Sequence, residues 1–489
     1  MRSSASATAT VERLAAQGRL VGDGWVRSDA AGTFAHRYAA TGAVQAEVGL
    51  AGAGDVAAAI TAARAAQPAW AARPPLERAA ILLRLADLLD AHAEEAAELA
   101  ALDNGTPVSV MNPGAYTAAW VRYYAGWCDK LDGETLTGGP GLSYVRLEPY
   151  GVVAAVPPWN GSMMGMGQKC GPALAAGNAV VAKPPEVAPF GMLRFAELAL
   201  EAGLPPGVLD VVVGGATTGE ALVAHPGVDK ISFTGGGATA RTIMAAAART
   251  LTPLALELGG KSANIVFPDA DLDRAAGTAA MLGTALLSGQ GCALPTRTYV
   301  HEDVYEDVVA KIVATVTSLR VGDPLDRGTF VGPVVTEDAM ERILGVVERA
   351  TRDGATLLTG GRRLGRELAA GWFVAPTVFG DVDHDRDLAR HEVFGPVQAV
   401  MRFATEDEVL ADANDSDFGL AAYVHTRDAA RVQRFAHALQ AGTVVVNDMG
   451  AMSPATPFGG YKASGFGREG GRAGIEEMVQ RKTVFVAPS

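Results

Sequence analysis

From Tyr150 onward the chain alternates short β-branched runs with stretches of helical length: "GVVAAV", "AVVAKP", "LRFAELALEAG", "LDVVVGG", "DKISFTGG" and "ARTIMAAAART" follow one another. Strands that alternate with helices join through crossovers, so the pattern predicts a parallel, doubly wound α/β sheet. Further helices are expected near Gly171–Ala176 and over Leu272–Leu286. A second strand–helix series runs from Arg297 to Val446, through "TLLTGG", "FVAPTVF" and "GTVVVND". The change of series lies near Gly259. Ahead of the alternation, Val56–Ala101 is alanine-rich with leucines at helical spacing and reads as two or more amphipathic helices. The chain has 489 residues, more than the roughly 250–300 that one core accommodates, so two large domains are expected.

A net charge of −13 opposes phosphate backbones, and no basic cluster marks a membrane face, so neither nucleic acid nor membrane is an expected partner. No apolar run has the length of a membrane span. The opening "MRSSASATAT" lacks an apolar signal region and reads as a short disordered tail. Three cysteines, Cys128, Cys170 and Cys292, are too few and too odd in number for a disulfide scaffold. They fit a reducing, cytoplasmic setting. No C-x-x-C or H-E-x-x-H spacing occurs, so no metal site is expected.

Cys292 lies in "LSGQGCALPTR", behind two glycines and a glutamine. Small neighbours leave a thiol an open path to an electrophile. Cys128 and Cys170 sit in apolar helical settings and read as packed thiols. "DKISFTGGGATARTIM" runs a strand into G-x-G-x-x-A at a helix start, where backbone amides hold a pyrophosphate. The usual acid about 20 residues on would be Glu257. Gly260-Lys261-Ser262 matches the end of a phosphate loop, but Ala255 replaces the first glycine and the intervening residues are apolar, which excludes that reading. Glu257 between two leucines reads either as a solvent-facing strand residue or as a desolvated carboxylate suited to a general base. Asn160, after Pro157-Pro158-Trp159, carries an amide donor. Lys183 and Glu186 follow the next strand, at the carboxyl edge where such sheets bind ligands.

The ordered series "PWN", "AAGNAVVAKPPE", "FTGG", "LELGGKS", "GQGC", "HEVFGPV" and "PFGGYKASGFGREGG" resembles the NAD-dependent, hydrolytic aldehyde dehydrogenases, from about residue 22 to 486. The resemblance implies Cys292 as nucleophile, Glu257 as the base that activates the deacylating water, and Asn160 as oxyanion donor beside the Cys292 amide. It assigns the adenosine ribose to Lys183 and Glu186, correcting the placement of Glu257 there. It assigns the pyrophosphate turn to Gly235 and Gly236, and the nicotinamide ribose and ring to Glu392 and Phe394. Val156, Pro158, Trp159, Gly215, Thr234 and Leu258 complete the implied cofactor set, and Lys169 with Glu469 matches a proton-relay pair. The implied fold has an NAD-binding Rossmann-like domain over 1–130 and 150–258 and a catalytic α/β domain over 259–470. A small β element over 131–149 and 471–489 bridges subunits of a homodimer or homotetramer. Alternatives are a CoA-acylating relative, against which Glu257 argues, and a catalytically silent protein on the same fold.

The chain departs from the family pattern at Gly236, where serine is common, at Ala240 for glycine, at Leu287 for asparagine, and at His391 for an acid. Positions that carry aromatics along the aldehyde tunnel of many relatives are here Gly161, Gln168, Leu282 and Leu286. Met163, Met164, Leu294, Met449, Met452 and Phe458 are the neighbouring candidates. The expected substrate set is Gly161, Met164, Gln168, Leu286, Met452 and Phe458. Flexible apolar chains without a counter-charge point to a medium-to-large apolar aldehyde rather than an anionic or two-carbon one.

Overall fold

The computed structural model describes residues 2–138, 141–450 and 452–487, with side chains from residue 7. Gly139, Pro140, Pro488 and Ser489 of the expected bridging segments lie outside the described residues. Two large sheets organise the chain, of eight and seven strands. The centre of the first is parallel, in the spatial order Leu209–Val211, Ala179–Ala182, Val152–Val156, Lys230–Thr234, Leu254–Glu257. Numbered along the chain this is 3-2-1-4-5, and the order reverses between Val152–Val156 and Lys230–Thr234. Ligands bind at the carboxyl ends of strands at such a switch point.

Strand Val152–Val156 is buried on both faces, as parallel strands are. Its residues alternate between two cores. Val153 and Ala155 join Trp120, Tyr124 and Leu174, whereas Val152, Ala154 and Val156 join Ile60, Leu222 and Ile243. The second sheet has a parallel centre formed by Thr377–Gly380, Val397–Phe403, Arg297–His301, Ala263–Val266, Ala421–His425 and Thr443–Val446. The chain passes from one sheet to the other over residues 258–262. The crossing links the carboxyl end of Leu254–Glu257 to the amino end of Ala263–Val266, and this seam is where the site forms. Gly465–Phe466 returns to pair antiparallel with Leu254–Glu257. A third sheet of three strands aligns Val479–Val486 with Leu142–Pro149 over eight residue pairs, and Leu142–Pro149 with Glu134–Leu136.

Several expectations change. The opening segment is not a disordered tail but a helix, Arg2–Gln17. Val11 and Leu14 on it are fully buried, and Arg13 pairs with Glu197. Its small polar residues are weak helix formers, so tertiary burial supplies what propensity does not. The helix expected near Gly171–Ala176 runs over Ser162–Ala175, with Pro172 inside it. The one expected over Leu272–Leu286 is α-helical only to Ala280 and widens into a π turn, Met281–Ala285. Residues 53–104 make three helices.

Candidate active site

Val156 leads into Pro157 and Pro158, then a single 3₁₀ turn, Trp159–Gly161, and the helix Ser162–Ala175. On the neighbouring strand, Thr234 leads through Gly235 and Gly236 into the helix Gly237–Ala247. Between these two turns lies a cleft of about 370 Å³. Val156, Pro158, Trp159, Asn160, Lys183, Thr234, Gly235, Gly236, Leu258, Glu392 and Phe394 all line it, together with Cys292. A second cleft of about 840 Å³ shares Val156 and Lys183 with the first and adds Glu186, Gly215 and Arg249, between the helices Ala216–Val223 and Gly237–Ala247. Gly236 faces open space at the start of its helix, where an added Cβ would meet nothing within 4 Å. Backbone donors at a helix start with room in front of them fit a pyrophosphate.

Two glycines of "LELGGKS" have a steric reason to be there. A methyl at Gly260 would come within 2.4 Å of the Cys292 carbonyl, and one at Gly259 within 2.3 Å of the Glu392 carboxylate. The crossing between the sheets therefore runs in close contact with both functional segments. The Gly260 amide donates to Glu392 Oε1 at 3.0 Å and so aims that carboxylate at the cleft. Arg342, from the helix Glu337–Arg352, donates to the Val393 carbonyl at 2.6 Å, next to Phe394, whose φ is +51°. The Phe394 ring stands edge-on to Trp159 at 5.6 Å and 78°.

The loop ahead of Cys292 opens on a run of left-handed backbone, with φ of +52°, +53° and +71° at Leu287, Ser288 and Gly289. Gly289 has no alternative, because its Cβ would meet the Gly395 carbonyl at 2.1 Å. Gln290 ties the loop down. Its amide nitrogen donates to the Leu287 carbonyl at 3.1 Å, and its side-chain oxygen accepts from the Val335 amide at 3.0 Å. Asn160 Nδ2 donates to the Gln290 carbonyl at 2.7 Å. That bond orients the amide against the loop, and Asn160 itself lines the cleft. Burial pushes the Cys292 thiol up to about 12, and the carboxylates of Glu392 and Glu257 push the same way. The resting group is the neutral thiol. Cys128 and Cys170 are free, buried and raised to about 11 and about 12, so they are inert packing groups.

Glu257 ends its strand facing inward, 4% exposed, with neither carboxylate oxygen hydrogen-bonded among the described residues. The solvent-facing alternative is excluded. Desolvation raises its pKa well above the ordinary value, with Glu469 adding to the rise and Lys169 opposing it. Lys169 and Glu469 form a buried ion pair at 2.7 Å, and Lys169 also donates to Ser232 at 3.1 Å. Glu257 Oε1 lies against Gly459, beside Phe458, whose backbone bridges to Glu469.

None of the six expected substrate residues lines the cleft that holds Cys292. Gly161 packs on Pro158, and Leu286 on a small cluster of Leu282, Leu294, Ala421 and Tyr423. Met164 and Phe458 are nearly buried, Met452 and Gln168 partly exposed. Met163 belongs to the core around Trp120. Met449 is 40% exposed.

The sequence model of the aldehyde dehydrogenase family matches residues 25–484. The chain belongs to the aldehyde dehydrogenase family. It is 43% identical over 451 residues to a betaine aldehyde dehydrogenase of Cereibacter sphaeroides, covering 92% of each chain. The NAD+ complex of an aldehyde dehydrogenase from Bacillus cereus superimposes with a TM-score of 0.94 at 39% identity, over 98% of both chains. An NADP-dependent enzyme from E. coli superimposes equally well, at 36% identity over 97% of this chain and 99% of that one. The aldehyde dehydrogenase family uses NAD(P), and this chain is an enzyme of that family.

Two residues of this aldehyde dehydrogenase site escaped sequence reasoning. Asn104 Nδ2 donates to the Trp159 carbonyl at 3.0 Å, holding the turn that carries Asn160. The Asn104-Gly105 pair reads as a helix end, and Gly105 does cap that helix at φ +79°, which hides the side chain's second task. Arg342 lies on an exposed-looking helix, and its reach to the Val393 carbonyl is long-range.

Proposed function

We propose that the enzyme oxidises a medium-to-large apolar aldehyde to the carboxylic acid with NAD. The observation that carries this reading is Glu257, a buried carboxylate with no hydrogen-bond partner among the described residues, which raises the pKa of the cleft-lining Cys292 thiol. Cys292 Sγ adds to the carbonyl carbon as the Glu257 carboxylate takes the thiol proton, which it passes to solvent before the hydrolytic step. The thiohemiacetal oxygen accepts from Asn160, a donor held in place before the charge develops. Lys183, Glu186, Gly235, Gly236, Glu392 and Phe394 would hold the dinucleotide, with Val156, Pro158, Trp159, Gly215, Thr234 and Leu258 as its walls. The bound nicotinamide supplies the hydride acceptor. Loss of hydride leaves an acyl thioester on Cys292. Glu257 then removes a proton from water, the hydroxide adds to the acyl carbon, and Cys292 departs as thiolate with the acid released.

A preference for NAD over NADP rests on Glu186, whose carboxylate beside the ribose would repel a 2′-phosphate. Equal kcat/KM with both cofactors would refute it. The apolar substrate rests on Met164, Leu286, Met452 and Phe458, with Gly161 leaving room. A trimethylammonium group is held by aromatic faces, and five of the six expected substrate residues carry no ring. Betaine aldehyde is therefore expected to be a poor substrate here. Absorbance of NADH across octanal, benzaldehyde, succinate semialdehyde and betaine aldehyde tests the substrate. The Cys292→Ala protein should form no NADH with any of them, and substantial reduction by that variant would remove the nucleophile assignment. A homodimer or homotetramer built on the three-stranded sheet goes with this reading. So does a division at Gly259 between an NAD-binding part (1–130, 150–258) and a catalytic part (259–470), with 131–149 and 471–489 bridging subunits.

A further inference from the structure

Asn160 and Cys292 belong to different sheets. Asn160 follows the strand Val152–Val156 of the first, and Cys292 precedes the strand Arg297–His301 of the second. The distance between oxyanion donor and nucleophile is therefore set by how two sheets pack, whereas a reacting site tolerates an error of only about 0.5 Å. A ring of bonds closes around the two residues. On one side, Asn104 Nδ2 donates to the Trp159 carbonyl at 3.0 Å, and Asn104 Oδ1 accepts from the Thr106 amide at 3.1 Å and hydroxyl at 2.7 Å. On the other, Gln290 is 3% exposed. Its side chain spans the Leu287 carbonyl and the Val335 amide, and its own carbonyl accepts from Asn160 Nδ2 at 2.7 Å. Residues 332–335 join the two sides. The Gly332 carbonyl accepts from the Ser288 hydroxyl at 2.9 Å, and a Cβ on Gly332 would meet the Gly105 carbonyl at 2.1 Å. Gly105, at φ +79°, sits against the Pro333 ring, which a Cβ there would meet at 2.9 Å. Asn104, Thr106, Trp159, Asn160, Leu287 and Gln290 enclose a space too small for a water molecule, so no solvent competes for these bonds.

We propose that Asn104 and Gln290 are positioning residues for aldehyde oxidation, which together hold Asn160 at the distance from Cys292 that a developing oxyanion requires. The inference rests on the reading of this site as an aldehyde oxidation centre. Asn104 acts through the Trp159 main chain, and Gln290 acts through its carbonyl on the Asn160 amide. A donor stabilises developing charge to the extent that it is oriented beforehand, and an asparagine released from either hold loses that orientation. The restraint bears on steps that place negative charge on the carbonyl oxygen. It does not bear on a simple displacement by the thiol.

The test uses Asn104→Ala and Gln290→Met, each alone and in an Asn160→Ala background. The readouts are kcat and KM with the best of octanal, benzaldehyde, succinate semialdehyde and betaine aldehyde, and the rate at which iodoacetamide alkylates Cys292, a displacement that forms no oxyanion. Each single substitution should lower kcat by at least about tenfold, and by no more than the roughly 10²–10³-fold that loss of an oxyanion donor costs. KM and the alkylation rate should stay close to the parent's. In the Asn160→Ala background neither substitution should lower kcat further. A collapse of the loop would slow alkylation together with kcat and would persist in that background. If Gln290→Met fails to fold, Asn104→Ala, outside the nucleophile loop, decides alone. A parental kcat in the folded variants, alkylation that falls in step with kcat, or losses that add in full to that of Asn160→Ala overturns the proposal. A parental rate in Asn160→Ala itself would remove the oxyanion-donor assignment and the proposal with it. Failure of all four aldehydes to give NADH with the parent enzyme would instead overturn the aldehyde-oxidation reading on which the proposal stands.

Discussion

Burial raises the pKa of both Glu257 and Cys292, and the Glu257 carboxylate adds to the rise at Cys292. A carboxyl whose pKa is raised by the fold is protonated below that value, so it serves as a base only above it. Turnover is expected to rise with pH as the Glu257 carboxyl ionises, above the ordinary carboxylate range. Glu257→Gln should keep a stoichiometric burst of NADH and lose that rise, with steady-state turnover lower by roughly 10²–10⁴-fold. The same group has a stability signature. Its contribution is fully present below the unfolded value of about 4.3 and is lost as pH climbs toward the folded value, since the unfolded chain then gives up a proton that the native state retains. Glu257→Gln should therefore gain Tm relative to the parent as pH increases from 5 to 9. A wild-type steady-state rate in the variant would show that another group activates the water.

The loop that carries Cys292 concentrates backbone strain at Leu287 and Ser288, whereas Gly289 suits the left-handed region. A leucine held at φ +52° costs about 1–2 kcal/mol, whereas asparagine tolerates the left-handed region. Leu287→Asn is expected to stabilise the enzyme by about 1 kcal/mol, read as an increase of a few degrees in Tm by calorimetry. An unchanged or lower Tm would mean that the leucine's packing near Asn160 outweighs the strain. The strand–helix series was legible from the sequence because each strand is a continuous apolar run and each crossover has helical length. The loop's conformation was not, since "LSGQG" carries one glycine at the third left-handed position and nothing that marks the first two. The proposed catalytic trio of Cys292, Glu257 and Asn160 came from the resemblance. The hold of Asn104 on Trp159 was not legible, because it joins residues 55 apart in sequence. The opening helix escaped for a different reason: its helicity comes from burial of Val11 and Leu14, not from its own residues.

At the scale of the molecule, that opening helix lies against the Val44–Gly49, Ala93–Asn104 and Phe190–Glu201 elements. Asp103 and Asn104, which bond to Ser162 and to the Trp159 carbonyl, belong to one of the helices it covers. Each fully buried Val or Leu contributes about 1.5–3 kcal/mol, so removing residues 2–17 is expected to cost at least about 3 kcal/mol and to expose apolar surface. A clear drop in Tm and binding of a hydrophobic dye would be seen, and a truncated protein as stable as the full chain would count against the packing described. No helix among the described residues is long and apolar enough to cross a membrane.

The return of Gly465–Phe466 to the first sheet also bears on how the protein is made. During synthesis the five parallel strands over residues 152–257 emerge about 200 residues before the strand that closes their outer edge, and Leu142–Pro149 waits more than 300 residues for Val479–Val486. Through that interval the nascent chain carries two open strand edges, which are templates for pairing with neighbouring chains. Both edges are closed only when Gly465–Phe466 and Val479–Val486 have been made, so the same late segment of the chain completes two sheets.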